Sequence, residues 1–271
     1  LYFADERGRI VTEMACLPFS DEDVGVITAS VAQSHDADIL RKGLPEGVVL
    51  EDWTDKIHCF IVTGPKARDL MAGIAEADLS LPWLSVQYFA KVAGKDVALL
   101  RVSFAGELGW EIHCDRGDAG HVYEELLGGG AKPFGMKALN SMRIEKGYRA
   151  WKGDLSTDYS LLEGGLERFI DWGHDCPGKA ALAAEKQRGV RKRFVSLKVE
   201  AGECDAPYMS TIWHAGQVVG ETTSGTWGYR VGHSMALGML RADLALAGTD
   251  VEVEIFGDRV KAVVLPDGPA W

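Results

Sequence analysis

Residues 101–114 read Arg-Val-Ser-Phe-Ala-Gly-Glu-Leu-Gly-Trp-Glu-Ile-His-Cys, a pattern that predicts a β-hairpin. In the first arm, residues 102–104, apolar side chains alternate with a polar one, and the glycines that follow can turn the chain. Beyond the turn, Trp110 begins a second alternation. Because successive side chains of a strand point to opposite faces, Glu111 and His113 should lie on the face opposite the tryptophan.

The position of Glu111 between apolar neighbours requires an explanation. A carboxylate fixed in the middle of a strand needs a partner, because burying an unpaired charge is costly. The sequence leaves two partners open, a bound ligand or an arginine such as Arg143. His113 is likewise open to two interpretations, a satisfied strand residue or a ligand-binding side chain.

The composition describes a globular chain of 271 residues with one or two domains and a sizeable core. The net charge of −11 disfavours non-specific binding of nucleic acid. No apolar run is long enough to span a membrane, and the N-terminus shows no signal-peptide pattern. The chain does not begin with Met, so we expect it to be a fragment, or the ordered part, of something longer.

The five cysteines are scattered, odd in number and form no C-x-x-C motif. The seven histidines are also dispersed, with no H-x-x-x-H motif. This distribution favours a reducing compartment and predicts neither a zinc nor an iron–sulfur site.

Strand and helix patterns are interleaved over the first two thirds of the chain. Helical spacing falls at residues 34–41, 66–75, 119–127 and 136–146. Strand patterns fall at residues 8–17, 24–28, 48–52, 57–63 and 97–100, in addition to the hairpin. Interleaved helices and antiparallel hairpins predict an α+β fold built from split βαβ units.

The pattern changes after the charged run 185–193, which we interpret as a solvated linker. Six short strand patterns with glycine turns follow, which predicts a small β-barrel or sandwich. The segment 223–229 is expected to be a glycine-rich loop. A domain boundary is therefore predicted near residue 190, which separates an α+β domain (1–190) from a barrel domain (191–271).

Five motifs in order carry a family resemblance. They are Gly106-Glu107-Leu108-Gly109-Trp110-Glu111, Arg143-Ile144-Glu145-Lys146 with Arg149-Ala150-Trp151, Leu161-Leu162-Glu163-Gly164-Gly165-Leu166, Gly178-Lys179-Ala180-Ala181-Leu182 and Thr223-Ser224-Gly225. Together they resemble the folate-binding C-terminal half of dimethylglycine and sarcosine dehydrogenases, which is similar to the glycine-cleavage aminomethyltransferase, or T-protein. The resemblance runs over nearly the whole chain.

The resemblance implies ferredoxin-like folate-binding lobes, the first of them truncated, followed by a C-terminal β-barrel. It also implies a tetrahydrofolate-dependent module that accepts the methyl-derived carbon of an N-methyl amine such as dimethylglycine or sarcosine, as in glycine betaine catabolism. FAD would belong to a dehydrogenase domain or partner subunit, since no G-x-G-x-x-G motif follows a strand here. The expected location is the cytoplasm, or the mitochondrial matrix in a eukaryote.

The resemblance also implies roles for single residues. Glu111 would anchor the pterin edge, and Glu13 would relay a proton near the reacting folate nitrogens; its other interpretation is an exposed strand residue. The remaining folate-binding candidates are the neighbours of these two acids and two positions where the dehydrogenases carry tyrosine: Met14, Ala15, Ile112, His113, Phe104 and Arg168.

One departure from the family pattern keeps alternatives open. The T-protein's Ala-Arg-Asp falls on residues 138–140, Ala-Leu-Asn, so its substrate-binding arginine is missing here. The first alternative is a non-catalytic folate-binding module. The second is a direct methyltransferase, or demethylase, that moves a methyl group to tetrahydrofolate.

Overall fold

Fifteen strands and five α-helices make up residues 1–270, the part of the chain that the computed structural model describes. The strands are β1 Tyr2–Ala4, β2 Ile10–Glu13, β3 Ala15–Pro18, β4 Val24–Ile27, β5 Ile57–Thr63, β6 Ala75–Glu76, β7 Val86–Val92, β8 Lys95–Leu100, β9 Gly109–Asp115, β10 Lys192–Val199, β11 Thr211–His214, β12 Gln217–Gly228, β13 His233–Arg241, β14 Asp250–Ile255 and β15 Asp258–Val264. The α-helices are α1 Gln33–Gly43, α2 Ala67–Ile74, α3 Ala119–Gly128, α4 Met136–Glu145 and α5 Lys179–Arg188.

These elements form two units. The first unit comprises residues 1–16, 26–31 and the chain from 140 onward; the second comprises residues 17–25 and 32–139. None of the helices within residues 1–270 is both long enough and apolar enough to cross a lipid bilayer.

The second unit is built on a five-stranded antiparallel sheet in the order β5-β9-β8-β7-β6. One face of this sheet packs against α2 and α3, which contribute apolar side chains spaced one helical turn apart. Trp110 and Ile112 of β9 lie in this core and are 1% and 0% exposed. Their alternation places Glu111 and His113 on the other face, as the sequence predicts.

The first unit contains a closed six-stranded barrel in the order β10-β13-β12-β11-β14-β15. The inward side chains of its strands form one apolar core, with Leu197, Ile212 and Ala236 fully buried. The short N-terminal strands β1 and β2 pair with each other in the same unit. The expected α+β fold with a small C-terminal β-barrel is confirmed.

A bulge in β12 turns two consecutive hydroxyls toward one buried carboxylate. The register against β13 shifts between Thr222 and Ser224, and Thr223 and Ser224 both donate hydrogen bonds to Asp154. The same carboxylate, which is fully buried, pairs with the Arg143 guanidinium from the C-terminal half of α4. The ion pair thus joins the end of α4 to the loop at residue 154, and the two hydroxyls join that loop to the barrel.

Several local predictions are wrong, for identifiable reasons. Residues 102–104 form a loop instead of a strand, because the chain turns where Gly106 adopts a φ of 75°. Residues 48–52 are irregular and begin with a turn closed by the bond from the Val48 N–H to the Pro45 carbonyl. Residues 8–17 contain two strands instead of one, since β2 pairs with β1 whereas β3 pairs with β4.

Two interpretations near the barrel are also corrected. Segment 223–229 is mostly strand, because β12 runs to Gly228 and pairs along this length with β13. The charged run 185–193 is not a free linker: it contains the last turn of α5 and the start of β10. Glu185 within this run is buried.

Replacing Asp154 by Asn should destabilise the first unit strongly. The variant leaves the Arg143 charge, which is 4% exposed, buried without a counter-ion. Loss of one partner of a buried pair costs about 3–5 kcal/mol. Urea unfolding followed by circular dichroism measures the difference. Asp243→Asn, which breaks a surface pair with Arg241, is the matched control and should change little; equal losses in the two variants would contradict this account.

Candidate functional site

The Glu111 carboxylate lies on β9, on the sheet face opposite the core of the second unit. Its side chain is 22% exposed, and its Oε2 lies 3.2 Å from Nε2 of His113. Among residues 1–270, no arginine or lysine forms an ion pair with it, and Arg143 pairs with Asp154 instead. Glu111 therefore retains acceptor capacity toward a ligand.

Cys59 joins this pair from the neighbouring strand. It stands directly opposite His113 in the β5–β9 ladder, and its Sγ lies 3.6 Å from His113 Nε2. Although the residue keeps exposed surface, desolvation by its neighbours, followed by the charge of Glu111, raises the pKa of the Cys59 thiol to about 12. At neutral pH the sulfur is therefore a protonated thiol and a poor nucleophile.

The other two candidates of the second unit have different surroundings. Ile112 is fully buried in the core, so only its backbone is available to a ligand. Phe104 lies half-buried in the loop between β8 and β9. An aromatic ring on this loop suits the flat face of a heterocycle.

Glu13 lies at the end of β2 in the first unit, opposite Tyr2 of β1. Burial raises the pKa of the Glu13 carboxyl, against the opposing effect of a hydrogen bond from Tyr2. Burial, followed by the nearby Glu13 charge, likewise raises the pKa of Tyr2 to about 12. The next two candidates along the chain differ in solvent exposure: Met14 is buried, whereas Ala15 is exposed.

Arg168 lies near the same Tyr2 ring. It is exposed, and its guanidinium lies 4.8 Å from the ring centroid of Phe169, which is 5.3 Å from that of Tyr2. The charge of Arg168 lowers the Tyr2 pKa, a smaller effect than burial. The structure therefore groups Glu13 and Arg168 around one tyrosine in the first unit, and Glu111, Ile112 and His113 on one strand of the second.

Sequence reasoning missed three residues around these acids. Tyr2 and Cys59 become neighbours of Glu13 and His113 only through strand pairing, which local periodicity does not report. Arg149 approaches Phe194 at 4.0 Å and donates hydrogen bonds to the carbonyls of Gly147 and Gly164. The only sequence signal for Arg149 was its place in the motif Arg149-Ala150-Trp151.

The residue after Leu139, which stands at the position of the missing T-protein arginine, has a structural role. Asn140, the last residue of Ala-Leu-Asn, accepts hydrogen bonds from Nε and Nη2 of Arg143 at 2.8 and 2.6 Å. It thereby orients the guanidinium that pairs with Asp154. Nothing in this arrangement replaces the charge of the missing arginine.

Two protein-family models match successive parts of the chain. Residues 1–174 match the GCVT N-terminal domain, and residues 192–268 match the glycine cleavage T-protein C-terminal barrel domain. A solved aminomethyltransferase T of the glycine cleavage system from Bartonella henselae has the same fold, with a TM-score of 0.84 at 21% identity over 98% of this chain and 74% of that one.

Two curated relatives are longer proteins. Mouse mitochondrial dimethylglycine dehydrogenase is 33% identical over 96% of this chain and 31% of its own length. Mouse mitochondrial sarcosine dehydrogenase is 35% identical over 71% of this chain and 22% of its own length. The chain thus spans less than a third of either dehydrogenase. With both domain models matched in order, the chain belongs to the glycine cleavage T-protein family.

Proposed function

We propose that this chain is a tetrahydrofolate-dependent one-carbon transfer module that accepts the methyl-derived carbon of an N-methyl amine such as dimethylglycine or sarcosine. Membership of the T-protein family and the similarity to the two dehydrogenases support the class of reaction. The observation that carries the proposal is the half-buried Glu111 carboxylate, because no arginine or lysine of residues 1–270 forms an ion pair with it.

The role proposed for Glu111 follows from its acceptor geometry. The edge of a pterin presents adjacent N–H donors, and one carboxylate can accept two of them. The buried Trp110 and Ile112 on either side fix the backbone, so the Glu111 side chain stays on the opposite face of the sheet. In this proposal Phe104 contributes its ring, and His113 holds Oε2 of the acid in place.

The role proposed for Glu13 follows from its raised pKa. A carboxyl group that holds its proton longer than usual can donate and recover it closer to neutral pH. The Tyr2 hydroxyl, which stays protonated at neutral pH, orients that carboxyl by hydrogen bonding. Met14, Ala15 and Arg168 keep their proposed roles as folate contacts near this acid.

The division of chemistry is then simple. Bound tetrahydrofolate would supply the nucleophilic nitrogens that take up the one-carbon unit. The chain itself would anchor the pterin through Glu111 and move a proton at Glu13. Oxidation of the amine would take place at FAD on a dehydrogenase domain or subunit, as the names of the two longer relatives suggest.

The organisation of the chain is part of this proposal. Residues 1–190 would carry the folate-binding function, and residues 191–271 would carry the barrel. The reducing environment expected from the cysteines fits the cytoplasm or a mitochondrial matrix, and the two relatives are mitochondrial.

Replacing Glu111 by Gln should weaken tetrahydrofolate binding by about 10- to 100-fold, because charge-assisted hydrogen bonds contribute about 1.5–3 kcal/mol. Isothermal titration under anaerobic conditions, with EDTA present, measures the affinity. Glu124→Gln, on the exposed side of α3, is the matched control and should bind as the wild type does. Equal affinity of the Glu111 variant and the wild type would contradict the anchoring role.

Glu13→Gln should become more stable relative to the wild type as the pH rises above 4.5, the ordinary pKa of Glu. Above that pH the unfolded wild type ionises first, whereas the folded carboxyl keeps its proton, so the wild type loses stability that the amide retains. Urea unfolding at several pH values between about 4 and 7 measures the difference. A difference that shrinks as the pH rises would contradict the raised pKa.

The same variant tests the proton relay. Glu13→Gln should slow one-carbon transfer by about 100-fold or more and leave the affinity for tetrahydrofolate nearly unchanged. Transfer is measured with an N-methyl amine and a flavin-containing dehydrogenase partner, by the appearance of 5,10-methylene-tetrahydrofolate. Loss of affinity without loss of rate at saturating folate would assign Glu13 to binding.

One observation favours the non-catalytic alternative. Leu139 and Asn140 stand where the T-protein pattern has Arg and Asp, and Asn140 serves the Arg143 ion pair. Folate binding without any transfer in the coupled assay would support a binding module. Formation of 5-methyl-tetrahydrofolate from a methyl donor would support the direct methyltransferase.

A further inference from the structure

Three side chains of different chemistry converge on the open face of the second unit's sheet. Strand pairing places Cys59 of β5 directly opposite His113 of β9, and Glu111 follows two residues away on the same face. His113 Nε2 lies 3.6 Å from Cys59 Sγ and 3.2 Å from Glu111 Oε2. One donor atom from each residue lies within 4.8 Å of the other two.

The two distances from His113 Nε2 match two edges of a zinc coordination tetrahedron. With typical bond lengths to sulfur, nitrogen and oxygen, two ligands of one Zn²⁺ lie about 3.6 Å apart for a thiolate and an imidazole, and about 3.4 Å apart for an imidazole and a carboxylate. The two spacings observed here are therefore close to what a shared ion requires, and the third pair of ligand atoms lies within 4.8 Å. Thiolate, imidazole and carboxylate are all zinc ligands, and soft sulfur disfavours magnesium and calcium.

We propose that Cys59, Glu111 and His113 form a binding site for Zn²⁺, with the fourth coordination position open. The site is rigid because β9 is held by the core on its other face, where Trp110 and Ile112, on either side of Glu111, are buried. It is also accessible, since Cys59 keeps exposed surface. Ion binding displaces the thiol proton, as at other cysteine sites.

The site departs from the expectation of the sequence analysis. The cysteine spacing along the chain predicts no metal site. Cys59 and His113 are 54 residues apart, so no short ligand motif connects them. The zinc proposal does not rest on the proposed folate function, although both would use the carboxylate of Glu111. Zn²⁺ and tetrahydrofolate should therefore compete for the same chain.

Titration of the chelator-treated chain with ZnCl₂ in the absence of folate tests the site. We expect one ion per chain. Cys59→Ser and His113→Ala should weaken zinc binding by more than about 100-fold, since even outer-shell partners of a metal cost about 10- to 100-fold. Cys204→Ser and His121→Ala, both exposed and outside the three-residue cluster, are the matched controls and should leave the affinity unchanged.

A second measurement compares the unmodified chain with Cys59→Ser. Cobalt in place of zinc should produce a sulfur-to-metal charge-transfer band, which should be missing when Cys59→Ser is titrated in the same way. Absence of a stoichiometric site, or equal affinity in Cys59→Ser and the wild type, would overturn the proposal. So would a cobalt complex of the wild type without a charge-transfer band.

Separate measurements test the folate proposal and the zinc proposal. Folate affinity measured in EDTA reports on the pterin anchor alone, and zinc affinity measured without folate reports on the metal site alone. If both bind, added Zn²⁺ should weaken folate binding in the wild type and should have no such effect in Cys59→Ser. An undiminished folate affinity in saturating Zn²⁺ would show that the carboxylate is not shared.

Discussion

The register of β5 against β9 is the constraint on which the second unit and its candidate site depend. Trp110 and Ile112 are buried on one face, and each contributes about 1.5–3 kcal/mol by leaving water. A slip of one residue would expose both side chains and force Glu111 into the apolar core. The core therefore fixes the orientation of the acid, and the same pairing sets Cys59 opposite His113.

The two acids of this chain show how environment assigns different chemistry to one side-chain type. Glu13 is enclosed beside a tyrosine, where burial favours its neutral form and suits it to proton transfer. Glu111 has an imidazole 3.2 Å away and retains lone pairs for hydrogen-bond donors or for a cation. Each environment is produced within a single unit, by β1–β2 pairing for Glu13 and by β5–β9 pairing for Glu111.

Much of the fold could be predicted from local patterns because those patterns report burial. The alternation in β9 gave the correct face for Glu111, helical spacing located α2 and α3, and short strands with glycine turns predicted the barrel. Contacts between distant strands could not be predicted in this way. The turn at Gly106, the bulge in β12 and the approach of Cys59 to His113 all depend on which strands pair. The roles of the site residues rest on the family resemblance and remain predictions.

The buried carboxylate of Asp154 has a consequence for the evolution of this architecture. It lies outside the barrel that begins at β10, yet it accepts hydrogen bonds from Thr223 and Ser224 within it. A recombination event that cut the gene between these parts would separate the Asp154 carboxylate, together with Arg143, from the two hydroxyls that donate to it. The barrel and the loop that precedes it should therefore be inherited together as one evolutionary unit.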